Sequence, residues 1–273
     1  MGKTLYLNES GNDLCVMRDG PSVWIKMRER AGQRVPVRLV ERVVVMGNVK
    51  IDAGAITLWG ENGIPVLFMD SSAREAALTI PYNHHLPDHY RDQKAFFQTE
   101  EQVKRCEKWA EAKRELICTN AFERFVRASG DRTARGLGEG NYQELLARIK
   151  PLGGGKWSVV TGVIDNLLRC LITERLIKAG LDPHLGVLHR RRNFGLTLDI
   201  GHIMGAERDL QAVQFFRSAD AGLMMAQGNE GWHMAGKGIR SIAHRFENRR
   251  KALTDMVEGI IDELFEVMRE MRA

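Results

Sequence analysis

The chain has 273 residues, 40 of them Lys or Arg against 35 Asp or Glu, with 44% hydrophobic and 27% charged residues and a formal net charge of +5. That length gives one large or two ordinary domains a proper core, and the balance is that of a soluble globular protein. Four scattered cysteines, Cys15, Cys106, Cys118 and Cys170, include no CxxC pair, which excludes a zinc ribbon and a disulfide scaffold and points to a reducing cytoplasm.

The N-terminus, MGKTLYLNESGND, is too polar for a signal peptide, and no apolar run approaches the roughly 20 residues that span a bilayer. The expectation is a cytoplasmic protein with no membrane segment. Its positive charge favours an anionic partner.

Short runs rich in Val, Ile and Leu, separated by Gly, Asn and Asp, predict strands at 4–7, 13–17, 22–27, 37–45 and 65–69, with a short helix at 53–61. Residues 81–92, PYNHHLPDHYRD, carry two prolines and no period and read as a linker. His84, His85 and His89 lie in it without a nearby cysteine, so exposed linker histidines are a better reading than a zinc site. Helical periodicity follows at 99–128, where Val103, Cys106, Trp109, Ala110, Leu116 and Ile117 recur. A more apolar helix at 159–179 is ended by Gly180 and followed by Pro183. Further helices are expected at 207–227 and 239–272, the last with a stripe through Leu253, Met256, Ile260, Leu264, Val267 and Met271 that suits a core or a dimer surface. The glycines at 153–155 lack the GxxxxGK[ST] spacing of a phosphate loop and read as a flexible connection. The expected fold is α+β: a small N-terminal β-domain (1–80), a linker (81–92) and a larger all-α C-terminal domain (93–273).

The most informative segment is 180–203, GLDPHLGVLHRRRNFGLTLDIGHI. It sets His189 and Asp199 on either side of a basic loop and adds His202 just beyond. Leu181, Leu185, Val187, Leu188, Leu196 and Leu198 bury the segment and leave its polar residues for chemistry. Histidine and carboxylate in an apolar frame are what a divalent metal acting on phosphate requires. Arg190, Arg191 and Arg192 follow His189 directly, and Arg245, Arg249, Arg250 and Lys251 crowd a late helix. Each basic cluster fits a solvated face as well as a phosphate grip. On residue type alone Glu139 fits a helix N-terminal acid, His189 a half-buried loop histidine and Asp199 a cap.

Three strings in order carry a more specific signal: GAITLWGENGIPVLFMDSSA (54–73), GLGEG (136–140), and AGLDPHLGVLH (179–189) followed by LTLDI (196–200). Together they resemble the CRISPR adaptation integrase family, the universal endonuclease and integrase subunit that inserts new spacers. The resemblance implies that Glu139 and His189 bind a catalytic Mg2+ or Mn2+, and that Asp199 is the first acid of an Asp-x-x-Glu/Asp motif. The second acid of that motif, normally a third metal ligand, falls at His202. Imidazole for carboxylate removes a negative charge and a hard oxygen donor, which manganese tolerates better than magnesium. Asp199, Glu207 or Asp209 are alternative sources of the missing ligand.

The resemblance further implies attack of a DNA 3′-hydroxyl on a phosphodiester in one transesterification, on double-stranded and branched DNA. Arg190, Arg191 and Arg192 would grip phosphates, with Arg245, Arg249 and Arg250 as weaker candidates. It also implies a homodimer joined through the β-domains and a small ferredoxin-like partner subunit. Between Gly140 and the helix at 159 the family has a longer stretch richer in arginine and aromatics; KPLGGGKW stands here instead, and no DNA contact is transferred to it. The alternatives are an inactive DNA-binding scaffold, favoured by His202, a structure-selective nuclease on branched DNA, and an unrelated α+β protein with chance similarity.

Overall fold

The computed structural model describes residues 2–8, 14–27, 30–74, 76–80, 85–96, 99–129, 139–150, 155–218, 221–229 and 231–270. The N-terminal region runs β1 (Lys3–Asn8), β2 (Cys15–Asp19), β3 (Ser22–Met27), β4 (Arg30–Pro36), β5 (Val40–Met46), β6 (Lys50–Ile51), α1 (Ala53–Glu61), β7 (Val66–Met69) and β8 (Ala76–Thr79). One sheet has the order β1-β5-β7-β8, with β1, β5 and β7 parallel and β8 antiparallel; the other has the order β4-β3-β2-β6.

The sequence of β5 explains its place at the centre. Its Val-Val-Val-Met run does not alternate, which suits a strand covered on both faces. Val43 and Val45 enter a small core with Val16, Val23, Leu58 and Trp59, while Val44 and Met46 belong to the large helical core. Asp52 caps α1 by accepting the amide of Ala55. The strand expected from residue 37 begins with a single 3-10 turn, Val37–Leu39, and β4, β6 and β8 were not marked by the sequence.

The helical region comprises α2 (Tyr90–Phe96), α3 (Glu100–Ser129), α4 (Glu139–Ile149), α5 (Gly155–Lys178), α6 (Gly195–Ile203), α7 (Gly205–Phe216) and α8 (Gly236–Glu270). Helix α2 starts inside the segment expected to be a linker. His84 lies outside the described residues; His89 packs edge-on against Phe265 with ring centroids 4.8 Å apart. Thr99 opens α3 with a capping pair, its hydroxyl accepting the Gln102 amide at 3.2 Å. Helix α5 is buried on nearly every side and forms the centre of the large core. Of the glycine run at 153–155, only Gly155 is among the described residues, and it opens α5.

The helix expected over 207–227 stops at Phe216. A 3-10 turn (Ala221–Met224) and a hairpin of β9 (Met225–Gly228) and β10 (Gly231–Met234) follow, so the helical domain contains one small antiparallel pair. Tertiary hydrogen bonds hold it: Met234 donates to the Ser71 carbonyl at 2.9 Å and Ala235 to that of Met224 at 3.0 Å. No helix among the described residues is long and apolar enough to cross a membrane.

A buried ion-pair cluster joins the two regions. Arg42 of β5 is 1% exposed and pairs with Glu174 of α5. Arg175 reaches Glu174 at 2.7 Å and Glu41 at 3.5 Å, and Arg250 of α8 reaches Glu41 at 2.9 Å. Tyr6 of β1 donates to Glu247 of α8 at 2.9 Å. Burial, then Glu247, raises the Tyr6 hydroxyl well above its usual range, so it remains a neutral donor.

Candidate functional site

The site is built by the loop between α5 and α6. Gly180 ends α5 at φ +69°, a conformation that suits glycine, and Leu181 donates back to Leu176 at 2.9 Å. Gln93 of α2, itself buried, clamps the loop's start: its side chain accepts the Asp182 amide at 2.7 Å and donates to the Asp182 carbonyl at 3.1 Å. Farther on, the backbones of Gly186 and Gly195 touch so closely that a Cβ on Gly186 would lie 2.2 Å from the Gly195 carbonyl carbon. Pro183 supplies a carbonyl to Leu196 and Thr197, two of the first amides of α6, at 3.0 and 3.3 Å. The loop is thereby closed on itself with its ends fixed to α6.

Asp199, 5% exposed, lies under this loop. One carboxylate oxygen accepts the amides of Val187 and Leu188; the other accepts the amide of His189 at 3.0 Å and the His189 Nδ1 at 2.7 Å. A carboxylate accepts, so Nδ1 donates and the lone pair of the half-buried ring sits on Nε2. A carboxylate behind a histidine in this way fixes its tautomer and orientation for a ligand on the far nitrogen. Asp199, expected as a metal ligand, has its two oxygens occupied by three loop amides and the His189 ring. Cys106 of α3 lies nearby, its thiol pushed up to about 12 by burial, then by Asp199 and Glu107.

His202 is exposed and lies one helical turn after Asp199 on α6. It lines a cavity of about 160 Å³ together with Tyr142 of α4. Glu139 is the first residue of α4, three before Tyr142; its side chain lies outside the described residues. Glu207 and Asp209, expected as alternative ligands, are both engaged by other side chains. Glu207 is 2% exposed and clamped between Arg124 and Arg249, the latter at 2.9 Å. Asp209 is buried, accepting the Tyr142 hydroxyl and the Arg208 Nε, the latter at 2.9 Å. Burial, then Asp209, raises the Tyr142 hydroxyl far above its usual range. Among the described residues, no group of three or more His, Cys, Asp or Glu side chains is arranged to hold a metal ion.

The basic residues divide. Arg190 is exposed, donates to the Val187 carbonyl at 3.0 Å and reaches Glu107 at 3.4 Å; Arg191 and Arg192 are exposed beside it. Arg245 is half-buried. Of the two residues expected to meet DNA on α8, Arg249 is partly exposed and pairs with Glu207, while Arg250 is 6% exposed inside the ion-pair cluster, a position unsuited to DNA contact. Sequence reading missed Arg114, Lys150 and Arg208, which share the cavity of His202. They lie far apart in the sequence, on α3, just past α4 and on α7, so no single basic run marked them.

Known proteins share this architecture. A family model described as CRISPR associated protein Cas1 matches residues 5–150. Comparison with curated proteins finds no match. Among solved structures, the chain is similar to a CAS1 protein from Thermotoga maritima, at 17% identity and TM-score 0.71 over 99% of this chain and 97% of that one. It is similar to a casposase bound to integration product, at 14% identity and TM-score 0.70 over 90% and 82% of the two chains. It also matches a Cas6-RT-Cas1–Cas2 complex at 12% identity and TM-score 0.71, covering 99% of this chain and 35% of the other. At such identities these structures establish the shared fold.

Proposed function

The chain belongs to the Cas1 family, and from that premise we propose that it is a metal-dependent DNA integrase that inserts new spacers into a CRISPR array. The observation that carries this reading is the Asp199–His189 pair, in which a buried carboxylate aims an imidazole nitrogen outward beside an exposed basic loop.

A divalent ion would be held by His189, by His202 of α6 and by Glu139, the first residue of α4. The donor chemistry fits: His189 has its tautomer fixed for a ligand, and one carboxylate with two imidazoles suits Mn2+ better than Mg2+. When bound, the ion supplies Lewis acidity toward a phosphodiester and offsets charge developing on the attacking and leaving oxygens. The chain's own residues do the rest. Asp199 keeps the His189 Nδ1 protonated and its ring in one orientation. Arg191 and Arg192 attract the DNA backbone without reading its sequence. The substrate is double-stranded and branched DNA, in keeping with the casposase relative bound to integration product. A homodimer joined through the β-domains and a small ferredoxin-like partner subunit complete the assembly; a Cas1–Cas2 complex is among the fold's relatives.

A second reading, a DNA-binding member with weakened chemistry, is favoured by one observation: His202 stands at the acid position while Glu207 and Asp209 are both engaged elsewhere. A strand-transfer assay on a branched half-site substrate with Mn2+ and Mg2+ separates the two. Joined product from wild type, greater with Mn2+ and strongly reduced in His189→Ala, is expected. Silence from wild type with both metals and activity in His202→Glu would make the protein a naturally disarmed DNA binder.

A further inference from the structure

His184 stands near the start of the loop that carries His189, and the reaction assigned above gives it no part. Its own amide donates to the Asp182 carboxylate at 2.8 Å, and its ring reaches across the loop to Phe194. There its Nδ1 accepts the Phe194 amide at 3.1 Å, and the two rings pack with centroids 4.4 Å apart. An amide donates, so Nδ1 carries the lone pair and the ring proton sits on Nε2, the reverse of His189.

Phe194 needs such a partner. It is the N-cap of α6, yet it stands at φ +59° and ψ +36°, the left-handed region that a residue with a Cβ seldom occupies. A non-glycine residue stays there only where its surroundings fix it. His184 supplies both an acceptor for its amide and a packing face for its ring. The next residue passes the position on. A Cβ on Gly195 would lie 2.8 Å from the His189 carbonyl oxygen and 2.9 Å from that of His184, so Gly195 is wedged against both histidine backbones. Helix α6 then carries Asp199, which holds the His189 Nδ1 at 2.7 Å, and His202. A shift at Phe194 therefore acts on His189 twice, through its backbone and through the carboxylate behind its ring.

We propose that His184 is a positioning residue for the reactive centre: by accepting the Phe194 amide it fixes the entry of α6 and, with it, the ring of His189. The acceptor at Nδ1, and not the bulk of the ring, is the working part. Its value for strand transfer rests on the integrase reading above; its effect on the His189 ring does not.

The test is nitrogen-15 NMR of the histidine rings in the full-length, metal-free protein at about pH 8.5, where an ordinary imidazole is neutral. The chain has eight histidines, few enough for His184 and His189 to be assigned by substitution. Three variants are compared: His184→Asn, whose Oδ1 can stand where Nδ1 stands, His184→Gln, whose amide reaches only the place of Nε2, and His184→Leu, which keeps bulk without an acceptor. His184 is exposed, so none of them opens a cavity in the core. Wild type should show His184 protonated at Nε2 and His189 at Nδ1. His189 should keep that single tautomer in His184→Asn and pass to a mixture in His184→Gln and His184→Leu. Strand transfer with Mn2+ should follow the same order, about 10-fold lower in His184→Gln and His184→Leu and near wild type in His184→Asn. A wild-type His184 protonated at Nδ1 overturns the proposal. So does a His189 ring unchanged in His184→Leu, or disturbed as much in His184→Asn as in His184→Leu. Wild type silent in strand transfer with both metals overturns the integrase reading alone, and the ring spectra still decide the role of His184.

Discussion

Two buried carboxylates, Glu174 and Asp199, meet their need for partners in opposite ways. Glu174 faces the side chains of Arg42, Arg175 and Lys178, so charge answers charge and the result is a pin between the β-domain and α5. Asp199 faces three backbone amides and one imidazole, which leaves the far nitrogen of that imidazole to act outward. A buried acid surrounded by guanidinium groups fixes architecture; a buried acid surrounded by backbone holds one side chain ready for chemistry. Glu207, between Arg124 and Arg249, belongs with the first kind.

The largest effect should come from breaking the pin. Arg42→Met leaves Glu174 buried without its main partner and is expected to cost about 3–5 kcal/mol, measured by urea unfolding. The double variant Arg42→Met/Glu174→Met should recover most of that loss, because a hydrophobic pair of similar volume often matches a buried ion pair. A double variant as unstable as the single one would show that the surrounding cluster, and not this pair, carries the junction.

Acid titration sharpens the same point. Burial alone would push the Glu174 carboxyl up, but Arg42, its hydrogen bond and then Arg175 outweigh that and hold it below its ordinary value of 4.5. A carboxyl depressed in the folded state contributes stability above its unfolded pKa and loses it as pH falls through the folded one. Stability should therefore decline below about pH 4.5 in wild type through this group. In Arg42→Met the decline attributable to Glu174 should vanish or reverse.

At the other acid, Asp199→Ala strands buried amides of the loop and is expected to cost about 1–3 kcal/mol in thermal unfolding. Gly186→Ala forces a methyl into the Gly195 backbone and should cost a comparable amount, about 1–3 kcal/mol, by moving the loop that presents His189. The smallest effect belongs to Arg190→Gln: its pair with Glu107 is about half exposed on both sides, and the change in stability should stay under about 1 kcal/mol.

Much of this was legible in the residues. The unbroken Val-Val-Val-Met of β5 announces a strand covered on both faces, and the apolar α5 with Gly180 at its end announces a central helix. The burial of Arg250 was also written in the sequence, since it falls between Phe246, Leu253 and Val257 on the apolar stripe of α8, although it also belongs to a basic run. The hairpin after α7 was not legible. Ala-Gly-Leu-Met-Met-Ala has local helix preference, and only long-range bonds to Ser71 and Met224 decide otherwise. The role of Asp199 was out of reach for a related reason: an aspartate in a helix reads as a ligand or a cap until the folded loop delivers three amides to it.

The most direct test of the account is a double-mutant cycle in strand transfer with Mn2+, using wild type, Asp199→Asn, His189→Ala and the combination. If Asp199 works through His189, Asp199→Asn should lower strand transfer about 10–100-fold in the wild-type background and add nothing to His189→Ala. An equal further loss in the His189→Ala background would contradict it and make Asp199 an independent ligand in its own right.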